Sequence, residues 1–288
     1  MKKANIGIMG IGVTGNALAK AFEKHYNLFL YDKYKKEYSN FESLVENSEI
    51  IFVCVPTPMK ATGEIDLEYI NDALKMLNDK AKQMNKENLV VVRSTIVPGT
   101  IDMLQKKYKE LKIGFSPEFL TEKNSVNDMK NTDRVIIGAS KEDTKKIESI
   151  YKKVFPKAKY ILTDTKTAEM IKYVSNITLA SQITIANEIY NICKTLGIEY
   201  NVVKEAILLD KRIGSNINVP GPDGNCGFGG KCFPKDLNAL IYLSKQKGYT
   251  PKLLQQVWSS NLDFRKNCKD WLDIKGATSE KKFKSVEE

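Results

Sequence analysis

Short apolar runs punctuate the first 165 residues: Ala4–Met9, Leu28–Asp32, Ile50–Val55, Leu89–Arg93, Ile113–Ser116, Val135–Gly138 and Tyr160–Leu162. Between several of them lie stretches with apolar positions at helical spacing, such as Asp66–Met84 and Lys141–Val154. Strand and helix in alternation predict parallel pairing through helical crossovers. The expected fold over residues 1–164 is therefore α/β, a Rossmann-like doubly wound sheet.

From Thr165 to Leu196 there is neither glycine nor proline, and Met170, Ile171, Val174, Ile177, Leu179, Ile183, Ile185 and Ile189 recur at helical spacing. One long helix of about 30 residues is expected, capped by Asp164 or Thr165 and ended by Gly197. Such a helix suits a span between domains or packing against a twin in a homodimer. Further helices are expected at Tyr200–Leu209, Asp236–Lys247 and Pro251–Leu272. These make a helical central domain over 165–273, followed by a polar tail at 274–288.

A chain of 288 residues, 42% hydrophobic and 28% charged, suits two globular domains. No apolar run approaches the roughly 18 to 20 residues that cross a bilayer, so no membrane partner and a cytoplasmic place of action are expected. The net charge of +10 reads either as attraction to anionic partners or as a lysine-rich solvated surface. Basic residues are scattered without interleaved aromatics, which argues against nucleic acid. The cysteines, at 54, 193, 226, 232 and 268, are odd in number and form no C-x-x-C pair. That pattern suggests no disulfide framework. With His25 the single histidine and Cys226 six residues from Cys232, no metal site is expected.

Gly10-Ile11-Gly12-Val13-Thr14-Gly15 follows the first strand and opens a helix running to about Lys24. Gly10 permits the tight turn, Gly12 lets a pyrophosphate approach the backbone, and Gly15 lets helix and strand pack closely. Val13 lies at the helix start, where N–H groups face the phosphates. Asp32 ends the next strand, placed to accept from ribose hydroxyls and to favour NAD. Lys33 beside it leaves some acceptance of NADP open. Pro56 and Thr57 follow the third strand, and Ser94 and Thr95 the fourth, at the carboxyl ends that line a ligand crevice.

Three segments carry the remaining signal. Ser116-Pro117-Glu118-Phe119-Leu120-Thr121-Glu122 follows the fifth strand. Lys172 and Asn176 lie four residues apart on one face of the long helix. Gly227-Phe228-Gly229-Gly230-Lys231-Cys232-Phe233-Pro234-Lys235-Asp236 reads as a glycine-rich loop presenting Cys232. In that reading Asp236 serves chemistry, caps the next helix, or does both.

Together with the Gly10–Gly15 turn, Val53–Pro58 and Arg93–Thr100, these segments resemble the UDP-glucose dehydrogenase family, which includes GDP-mannose and UDP-N-acetylmannosamine dehydrogenases. They run in family order over about the first 260 residues. The resemblance implies four-electron oxidation of a nucleotide sugar by NAD, with a UDP-sugar as substrate and a homodimer as assembly. Cys232 would attack the aldehyde to give a thiohemiacetal, and the derived thioester would be hydrolysed. Cationic charge and loop N–H groups would favour its thiolate. Lys172 and Asn176 would polarise the oxygen that gains charge. Asp236 and Glu118 would position or deprotonate water, and Thr95 would hold it.

Glu122 would sit near these groups and the cofactor. Phe119, Leu120, Phe228, Gly229 and Gly230 would contact the sugar nucleotide, and Arg212 would reach a substrate bound to the partner subunit. Lys123 stands where the family usually has glycine. The chain ends near where the family's third, nucleotide-binding domain would begin, which suggests a compact form. Val219–Gly224 resembles the UDP-glucose members, so UDP-glucose to UDP-glucuronate is the expected reaction. UDP-N-acetylmannosamine or GDP-mannose oxidation, a two-electron hydroxyacid dehydrogenase and a non-catalytic NAD-binding module remain alternatives.

Overall fold

The computed structural model describes residues 3–279. They divide into two compact units, one of the residues up to 57 with 67–172, the other of residues 58–66 with those from 173 on. The boundary falls between Lys172 and Tyr173.

The first unit alternates strand and helix as its apolar pattern requires. Its strands are β1 (Asn5–Met9), β2 (Asn27–Tyr31), β3 (Ile50–Val53), β4 (Asn88–Val92), β5 (Leu111–Phe115), β6 (Arg134–Gly138) and β7 (Lys159–Thr163). Its helices are α1 (Val13–Phe22), α2 (Phe41–Asn47), α3 (Glu68–Met84), α4 (Thr100–Lys107), α5 (Ser125–Lys130) and α6 (Lys141–Val154). The sheet order is β2-β1-β3-β4-β5-β6-β7.

Successive strand residues serve opposite faces. Ile51, Val53, Val90 and Val92 pack with Leu44, Leu74, Leu77 and Leu104 on one side. Ile50, Phe52, Leu89 and Val91 pack with Leu18, Phe22, Ile147 and Tyr151 on the other. Strands buried on both faces explain why the runs are continuously apolar rather than alternating. The doubly wound expectation holds with one correction: β6 runs antiparallel to β5, meeting it at Phe115 and Gly138. An apolar run carries no direction, so sequence could not reveal the reversal.

The long helix α7 spans Thr165–Leu196. Asp164 caps it by accepting from the Thr167 N–H at 2.9 Å. Gly197, at φ +69°, ends it, and the Ile198 N–H returns to the Cys193 carbonyl at 2.8 Å. In the second unit α7 is followed by α8 (Tyr200–Ile207), α9 (Cys232–Gln246) and α10 (Lys252–Phe264).

Two expectations in this unit are corrected. Helix α9 starts at Cys232, four residues before the expected start at Asp236. Pro234 stands in the first turn, where a helix leaves its N–H groups unbonded, so the proline does not exclude helix. Helix α10 stops at Phe264, and Asp270–Leu272 forms a separate 3-10 turn.

Met59, Trp271 and Ala277 form one small core with Trp258 and Leu262 against it. The segment expected as a polar tail is packed as far as Ser279, which bonds to Asp66 at 2.7 Å. The rest of that tail, 280–288, lies outside the described residues. Among the described residues no helix is long and apolar enough to cross a membrane.

Candidate functional site

In the first unit the β1–α1 turn has the shape of a dinucleotide cradle. Gly10 sits at φ +91°. A Cβ on Gly15 would lie 1.9 Å from the Gly10 carbonyl oxygen, so close helix–turn packing demands glycine there. A Cβ on Gly12 would meet nothing within 4 Å, and no side chain caps the helix there. That open, uncapped helix start beside Val13 is the surface a pyrophosphate needs. Asp32 Oδ2 accepts from the Ile11 N–H at 2.8 Å and Oδ1 from the Tyr34 N–H at 2.9 Å. These bonds fix the carboxylate and leave each oxygen a lone pair for ribose. Lys33 pairs with Asp72 at 3.6 Å.

Gly10, Asp32, Lys33 and Pro56 line one cleft with Tyr69, Asp72, Ala73 and Met76 from α3. The α3 residues were not found from sequence. Their signal was only an amphipathic helix whose start faces the strand ends. Thr57 Oγ donates to the Thr95 carbonyl at 2.8 Å, and Ser94 Oγ to the Val55 carbonyl at 2.6 Å. These hydroxyls thus tie the β3 and β4 loops together. The residues present fit a bound NAD.

After β5, Glu118 turns back on its own loop. Its Oε2 accepts from the Leu120 N–H at 2.6 Å, and its Oε1 lies 3.1 Å from Lys172 Nζ. The ammonium is also 5.5 Å from the Phe119 ring centre. Burial works to raise the Glu118 carboxyl, but the Lys172 ammonium, the Leu120 N–H and Arg93 outweigh it. The group is held below the usual carboxylate range. Glu118 is therefore an ionised acceptor at neutral pH, not a proton donor. Glu122 opens the 3-10 turn Glu122–Asn124, and its side chain is not among those described. Buried Glu169 accepts from the Gly99 and Ile101 N–H groups at 2.6 and 2.8 Å, at the start of α4.

In the second unit Asn176 Nδ2 donates to Asp236 Oδ2 at 2.5 Å, and Lys235 Nζ donates to Asp236 Oδ1. Asp236 is buried in the second turn of α9, so it does not cap that helix. Cys232 is the first residue of α9 and is exposed. A helix N-terminus favours negative charge on a side chain placed there. Cys54 and Cys193 are buried instead. Burial pushes the Cys54 thiol up to about 12, against the pull of Arg93. Among the described residues no disulfide joins the cysteines.

Arg212 is exposed and forked onto Asp210 at 2.5 to 3.1 Å. Gly227, Phe228 and Gly230 are held by Asn187, Asn261 and Asp270, with Arg265 bonded to Asp270 behind them, four residues not found from sequence. The available signal was two polar residues, Asn261 and Arg265, one helical turn apart in line with apolar Val257.

Residues 5–155 match the UDP-glucose/GDP-mannose dehydrogenase family, NAD binding domain, and residues 166–263 match that family's central domain. The UDP-glucose 6-dehydrogenase of Rickettsia bellii is 36% identical over 248 residues, covering 83% of this chain and 55% of the relative. That of Rickettsia prowazekii is 37% identical over 234 residues, covering 79% and 51%. The chain thus spans about half the length of the curated relatives it matches. A solved UDP-glucose dehydrogenase from Pyrobaculum islandicum superposes with a TM-score of 0.79 at 27% identity, covering 90% of this chain and 68% of that one. With its NAD binding and central domains both matched in order, this chain belongs to the UDP-glucose/GDP-mannose dehydrogenase family.

Proposed function

We propose that the chain carries the catalytic residues for the NAD-dependent oxidation of UDP-glucose to UDP-glucuronate, with Cys232 as the covalent station. One observation supports this reading above the others. Cys232 is exposed at the first position of α9, whereas Cys54 and Cys193 are buried.

The bound dinucleotide supplies a hydride acceptor, once for each of two oxidations. The substrate's primary alcohol loses a hydride and a proton to become an aldehyde. The Cys232 thiolate adds to the aldehyde carbon, and the oxygen takes up a proton to complete the thiohemiacetal. Loss of a second hydride and that proton leaves a thioester. Water then adds, the C–S bond breaks, and the acid and the thiol are released. Lys172 and Asn176 are assigned the oxygen that carries charge in these steps. Glu118, as a standing carboxylate, is suited to accept a proton or hold water. Asp236 orients Asn176 through the 2.5 Å bond. Thr95 and Glu122 are assigned to water and cofactor.

The same reading includes a homodimer. Ile185, Ile189, Ile192 and Leu196 on α7 are exposed at 63%, 40%, 48% and 66%, an apolar stripe that a second copy would cover. Arg212 is assigned to substrate on that copy. The test is a panel of nucleotide sugars scored for NADH formed. Turnover of UDP-glucose with two NADH per sugar is expected. No turnover, or one NADH per sugar, overturns the proposal.

A further inference from the structure

The glycine-rich segment before Cys232 has no strand or helix to satisfy its backbone, yet backbone donors inside a protein need partners. Side chains supply them. Asn187 Oδ1 accepts from the Gly227 N–H at 2.8 Å. Asn261 pairs both groups of Phe228, accepting from its N–H at 2.7 Å and donating to its carbonyl at 3.0 Å. Asp270 Oδ2 accepts from the Gly230 N–H at 3.0 Å.

Behind them Arg265, fully buried, ties the set together. Its guanidinium reaches Asp270 at 3.1 Å, Asp223 at 2.8 Å and the Cys268 carbonyl at 2.8 Å. A buried guanidinium is tolerable only when paired in this way.

The glycines carry the imprint of these side chains. A Cβ on Gly227 would lie 2.5 Å from Asn261 Oδ1. A Cβ on Gly229 would lie 2.3 Å from Asp270 Oδ1 and 2.5 Å from Arg265 Nη2. At Gly227 and Gly229 the clamp lies too close to the backbone for a Cβ, whereas at Gly230 the positive φ of 72° favours glycine.

We infer that Asn187, Asn261, Arg265 and Asp270 are positioning residues for the reaction. They grip residues 227–230 and so set where α9 begins and where Cys232 stands. This rests on the reading of Cys232 as nucleophile. The four bonds recorded for the clamp go to backbone groups of Gly227, Phe228 and Gly230, and through these it places Cys232. A displacement of about 1 Å in a reacting group costs on the order of a hundredfold in rate.

The test compares Asp270→Ala, Asp270→Asn and Cys232→Ala. Each is assayed for kcat and for KM toward NAD, and the two Asp270 variants also for alkylation of Cys232 by iodoacetamide, mapped by peptide mass spectrometry. Alkylation needs an accessible thiol, whereas turnover needs a placed one. Asp270→Ala is expected to lose about tenfold or more in kcat, with KM for NAD and Cys232 alkylation little changed. Asp270→Asn keeps an acceptor for Gly230 and is expected to recover most of that loss. Wild-type kcat in Asp270→Ala, or a loss that Asp270→Asn does not rescue, overturns the inference. Should Asp270→Ala fail to fold, Asn187→Ala is read by the same criteria, with Asn187→Asp as the acceptor-keeping rescue. Normal turnover by Cys232→Ala sinks the nucleophile reading instead, a result separate from the clamp outcomes.

Discussion

Lys172 Nζ lies 3.1 Å from Glu118 Oε1, with the two side chains only 4% and 12% exposed. A charged pair this enclosed is costly to desolvate and costlier still to break. For Glu118 the consequence is a carboxylate that stays ionised across the neutral range.

Replacing that carboxylate tests its use. Glu118→Gln keeps the shape and removes the charge. The expected result is a fall in kcat of about a hundredfold or more, the usual scale for losing a proton acceptor. Binding of NAD, measured by calorimetry, should stay near the wild-type value. A second readout is stability in acid. Because the folded pKa lies below 4.5, the stabilisation is present above that value and lost as pH falls through the lower one. Urea titrations of Glu118→Gln should lack this acid-side slope.

Glu169 has the opposite sign. Burial raises its carboxyl to about 7, against the two N–H groups of Gly99 and Ile101 that oppose the shift. The folded state therefore holds a proton that the unfolded chain releases near 4.5. Stability is full below that pH and declines as pH rises toward 7, by up to roughly 3 kcal/mol. Glu169→Gln should remove this decline. Urea midpoints of the two proteins at pH 5 and pH 8 decide the matter: the wild-type advantage should shrink at the higher pH.

Asp32 holds the turn through the Ile11 N–H and is the proposed acceptor for the ribose hydroxyls. Asp32→Ala removes the acceptor for the Ile11 N–H along with the acceptor for the sugar hydroxyls. NAD affinity should drop about tenfold to a hundredfold, as expected for bonds to a charged group. Discrimination against NADP should narrow at the same time. Calorimetric titration with each dinucleotide reads both effects without reference to turnover.

The stripe on α7 predicts an assembly. Ile185, 63% exposed, is its first residue. Ile185→Glu should convert a dimer to monomers in sedimentation velocity, because a buried, unpaired carboxylate is strongly disfavoured. A wild-type protein that sediments as a monomer contradicts the homodimer outright.

Much of the fold was legible because burial on both sheet faces writes unbroken apolar runs, and because a 32-residue helix leaves no room for glycine or proline. Direction was not legible, so β6 was expected to run parallel. The cysteine segment was read as loop through to Asp236, since Pro234 imitates a break. The first turn of a helix has no N–H bonds for proline to lose. Residues with their own chemistry, such as Lys172 and Cys232, stood out in motifs. The clamp did not, because Asn261 and Arg265 look like the polar side of an ordinary helix until their partners on residues 223–230 are in place.

The central claim is that one cysteine carries the sugar between two oxidations. The most direct measurement is the amount of NADH formed per UDP-glucose consumed, run to completion with the intact protein and with Cys232→Ala. The account predicts two NADH per sugar for the intact protein and loss of steady turnover for the variant. One NADH per sugar, or unchanged turnover without the thiol, contradicts it.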